Sequence, residues 1–189
     1  MDTWSIDSST SCAEFDLRYL LFAHLHGQFI GITGSASLDP DAPLRSYVEA
    51  SIDAASATTG DALRDTQLRG PHFLDTARYP SIVFASTALE LAENNRARIT
   101  GDLTIRGITR QAVLDAHYEG PEEDPEADRL TLHLTASTTI DRNDFGITLE
   151  EAKELGSLLV GREIRITLRV RLVSSFAASE ISARRPESP

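Results

Sequence analysis

The sequence predicts an all-β domain of antiparallel strands, a barrel or a sandwich, accompanied by one or two short helices. Three observations predict it: period-2 alternation of apolar and polar residues, turn residues between the alternating segments, and a length of 189 residues that suits one core. The clearest segment is 163–173, Glu-Ile-Arg-Ile-Thr-Leu-Arg-Val-Arg-Leu-Val, in which every even position is apolar. Such a segment is a strand with one dry and one wet face. Residues 130–140 repeat the pattern through Leu130, Leu132, Leu134, Ala136 and Ile140, and so do 13–19 and 48–54. Weaker alternation runs over 3–7, 27–38, 81–91, 97–105 and 111–119. About nine strands, each wet on one face, favour antiparallel pairing over a parallel sheet buried on both sides.

The punctuation agrees. Arg106-Gly107-Ile108-Thr109 separates two alternating segments and predicts a tight hairpin. Asp39-Pro40-Asp41-Ala42-Pro43 and the acidic Gly120-Pro121-Glu122-Glu123-Asp124-Pro125 predict loops. Two segments break the strand rhythm. Residues 59–70 have acid near the start and Arg69-Gly70 at the end, which predicts a short helix. Residues 148–156 open on Thr148-Leu149-Glu150-Glu151, the spacing of a capping box, and stop at Gly156. The domain is expected over 1–174, with 175–189 a disordered tail.

Composition removes several functions. A formal net charge of -11 is opposite to what a phosphate-neutralising surface needs, so nucleic acid is not an expected partner. No apolar stretch approaches the roughly 18 residues of a membrane span, so an integral membrane protein is not expected. The N-terminus shows no basic segment followed by an apolar one, and the single cysteine, Cys12, fits a reducing compartment. A cytoplasmic protein is therefore expected.

Chemistry-bearing motifs are sparse. Neither Gly34-Ser35-Ala36 nor Gly156-Ser157-Leu158 completes a nucleophile elbow. Cys12, beside the apolar Ala13-Phe15 face, is expected to be an inert thiol. His24-x-His26 places two imidazoles on one side of a strand, but nothing in the sequence brings His117 or His133 to complete a metal site, so surface histidines are expected. Asp141-Arg142-Asn143-Asp144-Phe145-Gly146 opens like a calcium loop, yet its fifth and twelfth places are Phe145 and Ala152, so no ion is expected. No metal and no cofactor is implied. Arg64-Asp65 and Arg78-Tyr79-Pro80 are polar groups amid apolar neighbours. They either receive the polar end of a ligand or pin connections across a barrel mouth.

An eight-stranded barrel lies near the threshold between a filled interior and one that holds a ligand. The dry face mixes large residues (Phe15, Leu17, Leu132, Ile166) with small ones (Ala13, Gly31, Ala50, Ala54, Ala136). Small residues either leave room for an apolar ligand or relieve crowding where the barrel tapers.

Taken together, several motifs resemble the YceI-like, polyisoprenoid-binding family. They are Trp4-Ser5-Ile6-Asp7, Ser11-x-x-Glu14-Phe15-x-x-Arg18, Gly27-Gln28-Phe29, Arg64-Asp65-x-x-Leu68-Arg69-Gly70-Pro71, Phe73-Leu74-Asp75-Thr76-Ala77-Arg78-Tyr79-Pro80, Ile99-Thr100-Gly101-Asp102-Leu103-Thr104, Asp141-Arg142-x-Asp144-Phe145-Gly146 and Val160-Gly161-Arg162-Glu163. The resemblance spans roughly residues 3–173, in order. It implies an extended lipocalin-like antiparallel β-barrel of about eight strands, holding an isoprenoid chain, an isoprenoid quinone or a similar long amphiphile. It also implies a non-catalytic carrier that pairs as a homodimer. Phe15 and Leu17 on the dry face, with Phe73, Tyr79, Phe84 and Phe145 near the helix and the mouth, would line the chain. Arg64, its neighbour Asp65, and Arg142 would meet its polar end. The family's usual His before the first long strand is Thr10 here, and the His after its Arg is Tyr19, which removes a His-dependent headgroup contact. Two alternatives remain at this level. One is an enzyme acting on such a lipid through Asp65, Asp144 and Tyr79; the other is a β-barrel interaction module with no lipid ligand.

Overall fold

The computed structural model describes residues 2–19, 23–39, 42, 45–124, 127–148 and 160–177. They form eleven strands and one α-helix: β1 (Asp2–Ile6), β2 (Cys12–Tyr19), β3 (Ala23–Phe29), β4 (Ile32–Leu38), β5 (Tyr47–Asp53), β6 (Ala57–Thr58), α1 (Ala62–Arg69), β7 (Ser81–Ala92), β8 (Arg96–Ile105), β9 (Ile108–Asp124), β10 (Arg129–Asp141) and β11 (Val160–Ala177). The order β1-β4-β5-β7-β8-β9-β10-β11 closes through a β1–β11 pairing into an eight-stranded antiparallel barrel. Closure follows from the length of β11. One edge pairs with β10 throughout, while the other takes β2 opposite Ile164–Arg169 and β1 opposite Leu172–Ser174. β1 and β2 therefore lie in series along a single partner. β3 adds to β2, and only the two-residue β6 adds to β3, at Gln28 and Phe29.

The alternation read from the sequence is the inside–outside pattern of this barrel. Ile164, Ile166, Leu168, Val170 and Leu172 all face the interior, while Arg169 and Arg171 on the outer face reach Glu14, Asp7 and Asp124. Buried side chains fall into two groups. Ile82, Phe84, Ile99, Leu103 and Leu114 belong to one; Trp4, Ile32, Leu132, Val170 and Leu172 belong to the other. Leu38, Val48, Leu134 and Leu168 pack against both and join them around the interior.

The expected hairpin is present. Arg106 and Gly107 have φ of 52° and 70°, the pair of left-handed residues that a two-residue turn between twisted strands requires. The helix expected over 59–70 is α1, capped by Asp61, whose carboxylate accepts the Arg64 N–H. Three expectations change. The acidic 120–125 loop is strand: β9 continues to Asp124, and a register irregularity opposite Thr131–His133 absorbs Gly120-Pro121 where the ladder is already broken. The single 27–38 segment is two strands, divided at Ile30-Gly31. Strand β11 runs to Ala177, past the expected boundary at 174, because Ser174 bonds the Leu130 N–H and holds the pairing there. The helix expected at 148–156 and the tail beyond 177 lie outside the described residues.

Gly34 marks a close strand–strand approach. A Cβ there would stand 2.2 Å from the Glu49 carbonyl oxygen and 2.9 Å from Ile6 Cδ1. Gly34→Ala is expected to cost about 2 kcal/mol by pushing β4 off β5, which a urea unfolding midpoint measures directly. An unchanged midpoint would mean that the strands part without cost.

Candidate ligand cavity

The barrel encloses a cavity of about 1510 Å³ that runs its length. Its wall is built from alternate residues of every strand in the ring, so it is apolar along the sides. Polar side chains gather at the two ends. At the end near α1 they include Arg64, Gln67, His72 and Arg142; at the opposite end Asp2, Asp39, Ser46, Asn95 and Glu123. The α1 end is where β3 carries only β6 on its outer edge. Helix α1 and residues 70–74 line the cavity there instead of another strand.

The connections at this end are tied by polar groups, of which Asp65 and Arg142 are buried. Asp65 accepts hydrogen bonds from the Thr59 N–H (2.7 Å), the Thr59 hydroxyl (2.7 Å) and the Thr58 hydroxyl (2.9 Å), fixing α1 to β6. Arg69 adds bonds to the Ala55 and Ala57 carbonyls. Arg106, which the sequence offered only as a turn residue, donates to Gly146 and Pro71 carbonyls at 2.8 and 3.2 Å, strapping the β8–β9 hairpin to two mouth loops. Arg142 is buried and donates to the carbonyls of Gly161 (3.0 Å) and Ile147 and to the Asn143 side chain (3.1 Å). The calcium-like motif is thus a 3₁₀ turn over Arg142–Phe145, with Asp141 capping the Asn143 N–H and Gly146 left-handed at its end.

The expected ligand-lining residues divide accordingly. Phe15, Leu17, Phe73, Phe84, Phe145, Arg64 and Arg142 all line the cavity. Arg64 is exposed, and among the described residues its guanidinium has no ion pair. Arg142 reaches the cavity with its nitrogens already engaged by the turn. Asp65 is turned to the two threonines, and Tyr79 packs over Gly107, 3.0 Å from where a Cβ would be, with Arg78 5.4 Å from its ring centre. These two hold the mouth and do not line the cavity. None of Asp65, Asp144 and Tyr79 is among the residues that line the cavity. The sequence reading missed Trp4, Leu25, Ile32, Ala36 and Leu89 as lining residues. The spacing of Ile32, Gly34, Ala36 and Leu38 carried that signal, weakened by the glycine.

The remaining candidates behave as surface or structural groups. His24 and His26 sit outside the barrel, each with Nδ1 against one oxygen of Asp16, at 3.0 and 2.6 Å. No group of three possible metal ligands occurs among the described residues. Burial, reinforced by Glu14, raises the Cys12 thiol above its ordinary value and keeps it protonated, against a smaller opposing effect of Arg169. No helix among the described residues is long and apolar enough to cross a membrane.

Asp65 gives a pH signature. The Thr59 hydroxyl lowers its pKa most; burial opposes this, and the Thr59 N–H, Thr58 and Arg69 lower it further. A lowered folded value means that its contribution is complete above the ordinary carboxylate range, about 3.9. It is lost as pH falls through the lower folded value. Asp65→Asn is expected to reduce the melting temperature by several degrees at pH 7. It should also flatten the fall in melting temperature on acidification below about pH 4. Equal melting at pH 7 would show that the threonines are held by something else.

A family model described as the YceI-like domain matches residues 4–172. Among curated relatives, a UPF0312 protein of Pseudomonas savastanoi pv. phaseolicola is 34% identical over 134 residues, 71% of this chain and 69% of its own. A UPF0312 protein of Shewanella oneidensis is 31% identical over 136 residues, 72% of this chain and 71% of its own. Among solved structures, Burkholderia cenocepacia BcnA superposes with a TM-score of 0.76 at 22% identity, covering 88% of this chain and 98% of its own. A domain from Saccharophagus degradans, described as polyisoprenoid binding and implicated in plant cell wall breakdown, gives 0.69 at 16% identity over 92% and 99%. At these identities the structures establish the shared fold.

Proposed function

Because this chain belongs to the YceI-like domain family, we propose that it is a non-catalytic binding and carrier protein for a polyisoprenoid or similar long-chain amphiphile. The ligand lies along the barrel axis with its polar end near Arg64. The observation that carries this reading is the cavity itself: about 1510 Å³, above the roughly 300–1,000 Å³ of ordinary small-molecule pockets. An apolar passage of this length gains about 0.8 kcal/mol for every methylene it removes from water. A hydrocarbon chain therefore binds tightly without any catalytic group. The Saccharophagus neighbour's described ligand class supports the same reading. A homodimer in the cytoplasm accompanies it, the single cysteine supporting the reducing compartment.

The test is native mass spectrometry of the protein purified from its own host, followed by organic extraction and lipid identification. A prenyl or acyl species in stoichiometric amount is expected. A bare mass that stays bare after incubation with polyprenyl lipids and quinones would overturn the proposal in favour of an interaction module.

A further inference from the structure

Helix α1 is packed in the reverse of the usual sense. Its one buried side chain is a carboxylate, Asp65, while Leu63 stands 81% exposed, more open than any other large apolar side chain among the described residues. Arg64, Gln67 and Leu68 of the same helix line the cavity, and Leu63 does not. A lone exposed leucine needs no explanation by itself. This one lies on the outer side of the helix that walls the cavity's α1 end, next to exposed Ala62 and with exposed Pro71 just beyond the helix. The Asp65 and Arg69 hydrogen bonds fix that helix with this side outward.

Charge is divided between the two ends of the barrel. Residues 59–80 carry Arg64, Arg69 and Arg78, all exposed. Of the three carboxylates in that segment, Asp65 is buried, Asp75 is half-buried and Asp61 is engaged at the helix cap. On the adjoining turns and strand ends cations and carboxylates are matched, as Arg106 and Arg162 are by Asp144 and Glu163. The negative excess lies at the opposite end. There Glu90, Glu93, Glu119, Glu122, Glu123 and Asp128 outnumber Arg45, Arg96 and Arg129 among the described residues. Ten residues of β8 at about 3.4 Å each, tilted 35–45°, set the ends roughly 25 Å apart. That is about three Debye lengths at physiological salt, so a surface meeting one end hardly feels the charges of the other. The net charge of -11 therefore turns the acidic end away from an anionic surface without keeping the α1 end off it.

Going beyond the binding role proposed above, we infer that the outer side of α1 is a docking face for an anionic lipid bilayer. Leu63 enters the boundary between headgroups and acyl chains, and Arg64, Arg69 and Arg78 meet the lipid phosphates. An apolar side chain flanked by arginines fits that boundary, and each arginine near an anionic surface strengthens attachment about five-fold. Attachment by one leucine and three cations is reversible. Docked in this way, the α1 end of the cavity faces the membrane and the acidic end faces water.

Vesicle flotation of the full chain tests it, with vesicles of phosphatidylcholine alone or mixed equally with phosphatidylglycerol. Attachment to the mixed vesicles is expected to be about ten-fold or more stronger than to phosphatidylcholine alone. It should disappear at about 1 M salt, where the Debye length is about 3 Å. Leu63→Asp should weaken it by about ten-fold or more. Val113→Asp adds the same charge to the outer side of β9, away from the face, and should change attachment by less than about two-fold. Leu63→Trp supplies an exposed indole in a chain whose one tryptophan, Trp4, is buried. Its emission should shift to the blue when mixed vesicles are added. Both Leu63 variants should melt with the parent and bind a long-chain alcohol as it does, because Leu63 lines no part of the cavity. No attachment to the mixed vesicles, attachment that Leu63→Asp leaves intact, or an unmoved Leu63→Trp emission would overturn the docking face and leave the binding role standing. A dimer that Leu63→Asp converts to monomer, without vesicle attachment by the parent, would assign the face to a second copy and overturn it as well.

Discussion

Arg142→Ala is expected to destabilise the protein by about 3 kcal/mol, because hydrogen bonds to a charged group contribute roughly 1.5–3 kcal/mol and removing it leaves acceptors unpaired. The Gly161 and Ile147 carbonyls and the Asn143 side chain lose their donor together. For a chain of this size that corresponds to a fall in melting temperature of about 6–12 °C. Burial lowers the guanidinium pKa, with Asp141 opposing and Arg162 adding to the effect. The group nonetheless stays charged at any working pH. Arg142→Lys should recover little, since a point ammonium does not reproduce a planar fork aimed at separate acceptors. Thermal unfolding followed by circular dichroism reads both variants. A melting temperature within 2 °C of the parent for Arg142→Ala, less than 1 kcal/mol on the same scale, would show that the turn is held by other contacts.

Reversing the free cation has the opposite profile. Arg64→Glu should leave melting unchanged, because the side chain is exposed and unpaired among the described residues. It should weaken binding of a long-chain carboxylate about thirty-fold, some 2 kcal/mol, because attraction at the polar end becomes like-charge repulsion. The matching long-chain alcohol controls for everything except charge and should lose less than about three-fold in affinity, well under 1 kcal/mol. Fluorescence displacement measures both ligands on one preparation. Equal losses for acid and alcohol would place the polar end elsewhere, and no loss for either would remove Arg64 from the site.

These two arginines show where sequence reading stops. The even positions of 163–173 and the run from Leu130 to Ile140 declared which residues face inward, because a period of two leaves a half-buried strand no other choice. The cavity walls were legible for the same reason. The mouth was not. Arg64 and Arg142 look alike in sequence, each a cation beside an aspartate, and only the three-dimensional placement of Gly161 and Ile147 makes one structural and leaves the other free. Asp65 likewise presented two readings until Thr58 and Thr59 were seen to converge on it. The segment at Gly120-Pro121 carried every local sign of a loop. It is strand because β10 offers a ladder with a matching irregularity, a tertiary effect that local turn chemistry does not report.

The serial placement of β1 and β2 along β11 has a kinetic consequence. Trp4 pairs with Ser174, so the ring shuts only when the first strand finds the last. Sheets dominated by such distant pairings fold slowly, since loop-closure entropy is lost before the contacts that reward it form. The hairpins from β7 to β10 need no such search and can assemble early as an open, curved sheet with its apolar face uncovered. A chain of this design is most vulnerable to aggregation in the interval before closure. A long amphiphile laid on that uncovered face would act as a template on which the barrel completes itself.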